Sequence, residues 1–333
     1  MSLLEVRNLH TELVTPHGTV KAVNGIDFQV SPGEVLALVG ESGSGKSMTA
    51  LSIMGLLPKN TAQITSGEIR FNQTEITSLE EKEYNLIRGK EISMIFQNPL
   101  TALDPSYKIG TQLVETIAYR RGIRKKEAVI EARQWLQRVG ISDVERVLKS
   151  YPHALSGGMR QRMMIAMAIS CRPKLIIADE PTTALDATIQ KQILNLLKSI
   201  NQEFNTSIII ITHDFGVVAY LSDKVAVMYA GKIVEYGNTS RILSAPEHPY
   251  TRGLIRSVPE IGNKGTKSAR RRLSQIDGVP PDLMNMPQGC SFGSRCKEAT
   301  ERCFSHPPGV VSLGQEHLVS CFQREVKRSD AAG

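Results

Sequence analysis

The stretch Glu34–Ser47, EVLALVGESGSGKS, decides the fold. A short apolar run, Glu34 to Val39, ends at Gly40-Glu41-Ser42-Gly43-Ser44-Gly45-Lys46-Ser47, which then opens into a helical pattern. Strand, glycine-rich turn and helix start in this order form a P-loop. The glycines let the backbone curl so that its N–H groups, backed by the helix N-terminus, surround phosphates. Lys46 then reaches the terminal phosphates, and Ser47 offers a hydroxyl to Mg²⁺. Taken alone, the loop predicts a nucleoside triphosphate and does not separate kinases, GTPases, helicases and transport ATPases.

Outward from the loop, three more apolar runs end on a chemically unusual residue. Glu91 to Phe96 leads into Gln97, Lys174 to Ala178 into Asp179 and Glu180, and Ser207 to Thr212 into His213. Buried parallel strands read as continuous apolar runs, and in open α/β sheets ligands bind beyond their carboxyl ends. The pattern predicts an α/β fold whose strand ends meet in one cleft. Two adjacent acids divide the work simply: Asp179 holds the Mg²⁺ shell, and Glu180 orients and deprotonates an attacking water. From about residue 98 to 165 the apolar spacing becomes helical, as in Ile109, Leu113, Val114 and Ile117, which predicts a helical subdomain.

A further motif, Leu155-Ser156-Gly157-Gly158-Met159-Arg160-Gln161-Arg162, precedes the apolar run Met163 to Ile169. Small residues at a helix start make an anion site, but the chain already has a phosphate cradle. A second cradle calls for a second nucleotide or a second subunit. The plainer alternative is an N-cap serine followed by two flexible glycines.

The 333 residues exceed one ordinary core of roughly 150 residues and predict two lobes or a domain with an appendage. With 41% hydrophobic and 22% charged residues, the composition excludes disordered and collagenous classes. The longest apolar runs fall far short of the roughly 18 residues of a spanning helix, and Glu5 and Arg7 interrupt any signal sequence, so the cytosol is expected. The net charge of +7 is uneven, with Lys+Arg against Asp+Glu at 27 to 25 over residues 1–250 and 13 to 8 over 251–333. Four of the five cysteines, Cys290, Cys296, Cys303 and Cys321, also lie in that last stretch. In a reducing compartment such a quartet reads as a metal or cluster site, whereas Cys171 reads as a packed thiol.

Taken together, these motifs resemble the ATP-binding cassette (ABC) family over about residues 3–250. Gly40 to Ser47 matches Walker A, Gln97 the Q-loop, Leu155 to Gln161 the signature, and Asp179 with Glu180 the end of Walker B. Ala184-Leu185-Asp186 matches the D-loop and His213 the switch histidine. The resemblance implies an ATPase of α/β class, with a RecA-like core and helical subdomain in a cassette domain over 1–250. It also implies a head-to-tail dimer of cassettes in which each ATP lies between one P-loop and the partner's signature. Glu180, His213 and Gln97 would be the catalytic residues, with Ser47, Gln97 and Asp179 at Mg²⁺. Ser156, Gly157, Gly158, Gln161 and Asp186 would serve the nucleotide. The adenine-stacking aromatic of the family falls here at His17, which reads equally as a surface-turn histidine.

Residues 251–333 narrow the resemblance. Glu247-His248-Pro249-Tyr250-Thr251, followed by Cys-x5-Cys-x6-Cys-x17-Cys, is similar to the tail of oligopeptide, dipeptide and nickel importer ATP-binding subunits. There the quartet implies a [4Fe–4S] cluster, with zinc as the alternative, since thiolates serve both. The implied assembly has a second, homologous cassette, two membrane permease subunits and an external substrate-binding protein. It would sit peripherally on the cytoplasmic face of the inner membrane. The Pro-rich linker with Lys264, Lys267, Arg270, Arg271 and Arg272 reads as a solvated segment or as attraction to anionic lipid. A soluble cassette acting on nucleic acid or in translation is the competing reading. Against it, Ser47 and Ser156 stand only 109 positions apart, too close for a long coiled-coil insertion, and only one cassette is present.

Overall fold

The computed structural model describes residues 1–183, 185–257 and 276–329. Ala184 of the D-loop motif and the linker residues Pro259, Lys264, Lys267 and Arg270 to Arg272 lie outside them. The strands along the chain are β1 (Leu4–Thr15), β2 (Gly18–Val30), β3 (Val35–Val39), β4 (Ala62–Phe71), β5 (Thr74–Glu75) and β6 (Ile92–Ile95). They continue with β7 (Leu175–Asp179), β8 (Ser207–Thr212), β9 (Lys224–Tyr229), β10 (Lys232–Asn238), β11 (Val311–Ser312) and β12 (Leu318–Val319). The chain forms two compact units that do not follow chain order. One holds residues 1–3, 30–35 and 72–211; the other holds 4–29, 36–71 and everything from 212 onward.

In the first unit β6, β7 and β8 form a parallel ladder in the register Ile92↔Leu175 and Leu175↔Ser207. Every residue of these three strands is buried, as expected where both faces of a parallel sheet are covered. The helical spacing after Gln97 is realised as helices at Pro99–Ala102, Ile109–Arg121, Lys125–Arg138, Val144–Lys149 and Gly157–Ile169. Ile109–Arg121 buries Ile109, Leu113, Val114 and Ile117 on one stripe, while Lys125–Arg138 buries Ala128, Ala132, Trp135 and Leu136. Gly122, in the left-handed region at φ 65°, ends the first of these helices. The Trp135 ring packs 5.8 Å from Phe204 at the end of the long helix Ala187–Phe204.

In the second unit β1 lies between β2 and β4, paired antiparallel to β4 from Leu4↔Phe71 to Leu13↔Ala62. β3 runs parallel to β9, β9 pairs antiparallel with β10, and β10 with β12, which pairs in turn with β11. The C-terminal strands β11 and β12 thus join the strands of the cassette domain. Glu235↔Val319 and Tyr236↔Leu318 add the tail to the same strands that support the P-loop. Among the described residues no helix is long and apolar enough to cross a membrane.

Candidate active site

β3 delivers the chain to Gly40, and the helix Lys46–Met54 begins six residues later. Gly45 is the N-cap residue at φ 103°, and a Cβ there would stand 2.3 Å from the Ala22 carbonyl oxygen. Only glycine fits. The helix has no side-chain cap and no acidic residue in its first turn, so its orphan N–H groups and dipole are left to an anion. Lys46, 6% exposed, folds back across the loop and donates to the carbonyls of Gly40 at 2.8 Å and Glu41 at 2.9 Å. Its ammonium also reaches Ser44 Oγ at 3.3 Å. One cation thus holds the loop open around its own charge. Ser42, Gly43 and Ser47 are exposed.

In the other unit β7 ends at Asp179, which is buried. The next residue, Glu180, adopts φ 45°, a left-handed conformation uncommon outside glycine, and its N–H is tied to the Ile211 carbonyl at 3.0 Å. Strained backbone of this kind persists where the surroundings over-determine it, frequently at functional sites. The Glu180 Oε2 accepts from Gln97 Nε2 at 2.9 Å and from Thr183 Oγ1 at 2.9 Å. The fold therefore brings Gln97 and Glu180 together. Thr183 escaped the sequence reading, although its place three residues after the acid pair was the available signal.

Ser156 caps the helix Gly157–Ile169, its Oγ accepting from the Met159 N–H at 3.3 Å. A Cβ on Gly157 would meet nothing within 4 Å, and one on Gly158 would only touch Ile189 at 3.4 Å. Gln161 is 3% exposed and donates to the Pro181 carbonyl at 2.7 Å, tying the signature helix to the segment that follows Glu180. Its amide is thereby turned into the protein. Asp186 caps Ala187–Phe204, accepting from the N–H groups of Thr188 and Ile189 at 3.0 Å each. His213, at the end of β8, and His17, in the turn between β1 and β2, are both exposed.

The tail contributes residues that sequence reasoning missed. Arg295 donates to both carboxylate oxygens of Glu41, at 2.7 and 3.0 Å, and to the Tyr229 hydroxyl at 3.2 Å. Glu41 in turn gives its N–H to the Tyr250 hydroxyl at 2.9 Å. Tyr229, Tyr250 and Phe292 pack ring against ring at 4.6 to 5.3 Å, which explains the Tyr of the EHPY motif. The rest of that motif serves the helix Pro249–Arg256: His248 Nδ1 accepts from the Tyr250 N–H, and Pro249 occupies the first helical position. Beneath it, buried Glu235 accepts from the N–H groups of Glu247 and His248 at 2.8 and 3.0 Å. It also lies 2.8 Å from His317 Nε2. Burial works to raise the Glu235 carboxyl, but the hydrogen bonds from His317, Thr251 and the two N–H groups outweigh it and hold it low. Burial pushes His248 down to about 4.

Cys290, Cys296, Cys303 and Cys321 form no disulfides. Burial pushes the thiols of Cys290, Cys296 and Cys321 up, toward the neutral form. Cys303 Sγ accepts from the Thr300 N–H at 3.4 Å. Among the described residues no three His, Cys, Asp or Glu side chains are placed to hold a metal ion. The donor chemistry suits a thiolate-bound group, and the four thiols neighbour one another: Cys303 and Cys321 act on Cys290 through their charge, and Cys290 and Cys303 act on Cys296. Cys171 is a buried thiol, also pushed up by burial, as expected for a packed residue.

Residues 23–183 match the family described as "ABC transporter", and residues 234–303 match "Oligopeptide/dipeptide transporter, C-terminal region". The chain is 48% identical to the oligopeptide transport ATP-binding protein AppD of Bacillus subtilis, covering 97% of each. It is also 48% identical to the dipeptide transport ATP-binding protein DppD of the same organism, over 99% of this chain and 97% of the relative. The oligopeptide transport ATP-binding protein OppD of Salmonella typhimurium is 48% identical over 96% and 93%. Among solved structures, the dimeric ATP-binding cassette MJ0796 in a post-hydrolysis state with ADP and Pi matches 71% of this chain and 98% of its own. The TM-score is 0.65 at 26% identity. CbiO1 of Clostridium perfringens, part of the transporter complex cbiONQ, gives 0.61 at 29% identity over 73% and 91%.

Proposed function

The chain belongs to the ABC transporter ATP-binding subunits of the oligopeptide and dipeptide group, and from that membership we propose how its residues power peptide uptake. It is an ATPase whose hydrolysis is coupled to transport. The observation that carries the site assignment is the P-loop itself, with Lys46 drawn across the loop and an uncapped helix N-terminus behind it. Both features favour a phosphate chain.

Lys46 and the loop N–H groups hold the β- and γ-phosphates. Mg²⁺ would be held by the Ser47 hydroxyl and by the side-chain oxygens of Asp179 and Gln97. Mg²⁺, when bound, neutralises phosphate charge. Glu180 takes the proton of the attacking water, and its bonds from Gln97 and Thr183 support the role by aiming the carboxylate. His213 then holds the γ-phosphate. Gly157, with no neighbour of its own to demand a glycine, supports the reading that a second cassette brings its nucleotide up to this loop.

The partners proposed are a homologous cassette, two permease subunits and an external binding protein, which would place the chain on the cytoplasmic face of the inner membrane. Di- or oligopeptides are the proposed cargo; nickel complexes share the same tail resemblance. The nucleic-acid reading falls away with the match of residues 234–303 to a transporter region. For the cysteine quartet a cluster rests on family resemblance alone, and iron and sulfide analysis of anaerobically purified protein tests it. The test of the main reading is Lys46→Ala: ATP binding measured by calorimetry should be lost while the thermal melt stays cooperative. Unchanged ATP affinity would remove the P-loop from its role.

A further inference from the structure

A cavity of about 170 Å³ is lined both by Glu41 to Ser44 of the P-loop and by Pro280, Pro281 and Leu283 of the tail. Tyr229 and Ala230 complete the lining. We propose that this cavity receives the adenosine end of the nucleotide, so that the C-terminal segment Pro280–Leu283, rather than His17, forms the base-binding wall. The inference rests on the P-loop holding the phosphates.

Three observations carry it. First, the part of the lining outside the phosphate loop, namely Tyr229, Ala230, Pro280, Pro281 and Leu283, carries no charge and suits a flat uncharged base. The charged group in the lining is the Glu41 carboxylate, whose negative charge is taken up by Arg295, and the tail contributes two proline rings and a leucine. Binding pockets for such groups are mostly apolar with a few placed polar atoms. Second, the cavity adjoins the phosphate cradle, so a base tethered to a phosphate chain reaches it without a separate binding event.

Third, the wall is fixed in place before any ligand arrives. Arg295, held by Glu41, also donates to the carbonyls of Ile276 at 3.2 Å and Asp277 at 3.0 Å, just upstream of the prolines. Downstream, the Leu283 carbonyl accepts from the Lys21 N–H at 3.2 Å, and Asp282 accepts from the Met284 N–H at 2.9 Å. The segment is thus anchored to the P-loop at one end and to β2 at the other. Preorganised walls reduce the ordering cost of binding. Met284 then runs past the hairpin that carries His17, its Sδ 3.6 Å from where a Cβ on Gly18 would stand. His17 is exposed on that hairpin and is absent from the cavity lining.

The experiment measures binding of Mg·ATP and Mg·tripolyphosphate to the full chain by calorimetry, for wild type, Leu283→Ala, Pro281→Ala and His17→Ala, each checked by thermal melt. Leu283→Ala should weaken ATP roughly tenfold, in line with losing apolar contact in a pocket, and leave tripolyphosphate unchanged. Pro281→Ala should do the same to a smaller degree, and serves if Leu283→Ala does not fold. His17→Ala should change neither. The proposal is overturned if both tail variants leave ATP unchanged, if they weaken both ligands equally, or if His17→Ala alone produces the ATP-selective loss. A wild type that binds neither ligand would instead overturn the P-loop reading on which the inference stands.

Discussion

Arg295, with only 4% of its side chain exposed, grips both carboxylate oxygens of Glu41, a residue 254 positions earlier in the chain and the second of the P-loop. Bidentate guanidinium–carboxylate pairs are both strong and geometrically specific. The pairing fixes the P-loop's outer edge from the tail. The same carboxylate keeps the Arg295 guanidinium well above its ordinary range, with burial opposing it.

Arg295→Ala should therefore destabilise the chain by about 2 kcal/mol, below the usual 3–5 for a broken buried pair because Glu41 is partly solvated. Arg295→Lys should recover only part, since an ammonium cannot span both oxygens. Urea unfolding of the two variants and of the double variant with Glu41→Gln measures it; an additive double variant would show that the pair is not coupled.

Glu180→Gln should retain ATP binding while turnover falls by roughly 10²- to 10⁴-fold, the usual worth of a positioned general base. Gln97→Ala should lower turnover less, because Thr183 still holds the carboxylate. Steady-state hydrolysis beside equilibrium binding separates the two effects. Normal turnover in Glu180→Gln would take the base role away from that residue.

Two glycines should respond in opposite ways. Gly157→Ala should leave stability within about 0.5 kcal/mol, since its Cβ meets nothing, yet suppress hydrolysis if a second cassette closes on that loop. Gly45→Ala should unsettle the P-loop and ATP binding together, because φ is 103° and the Ala22 oxygen stands 2.3 Å from the new Cβ. Melting curves and ATPase rates on both variants check the contrast.

Acid should loosen the tail's hub. His248 has its pKa lowered from 6.5 to about 4, so the unfolded chain binds the extra proton over that interval and stability falls as pH drops through it. The loss amounts to about 3 kcal/mol if the whole shift is expressed. Glu235, held low by its hydrogen bonds, contributes stability above its unfolded pKa that fades at still lower pH. His248→Asn keeps a side-chain acceptor at the helix start and should flatten the stability profile between pH 6.5 and 4. A profile as steep as the wild type's would clear His248 of that role.

The local parts of the site were legible because their chemistry is written in adjacent residues. EVLALVGESGSGKS specifies strand, turn and helix by apolar run and glycine spacing, and the α/β reading followed from four such strand ends. The helical stretch after Gln97 was legible from its three- and four-residue spacing. What stayed hidden depends on contacts between distant residues. Nothing in the sequence near Gln97 announces its bond to Glu180, and nothing near Arg295 announces Glu41. The left-handed turn at Glu180 was equally invisible, since local propensity disfavours it. The cysteine spacing invited a metal reading; the fold makes the four cysteines neighbours, a closeness that their spacing of five, six and seventeen residues does not reveal.

The pairing of β12 with β10 bears on how the subunit survives alone. Without the tail, Glu235 and Tyr236 would present unsatisfied backbone groups along an open sheet border, an invitation for another copy to dock there. A chain cut near residue 250 would then be prone to clump rather than work as a smaller engine. Strands β11 and β12 act as a hem on that border, and the strand that leads into the P-loop lies two strands in from it.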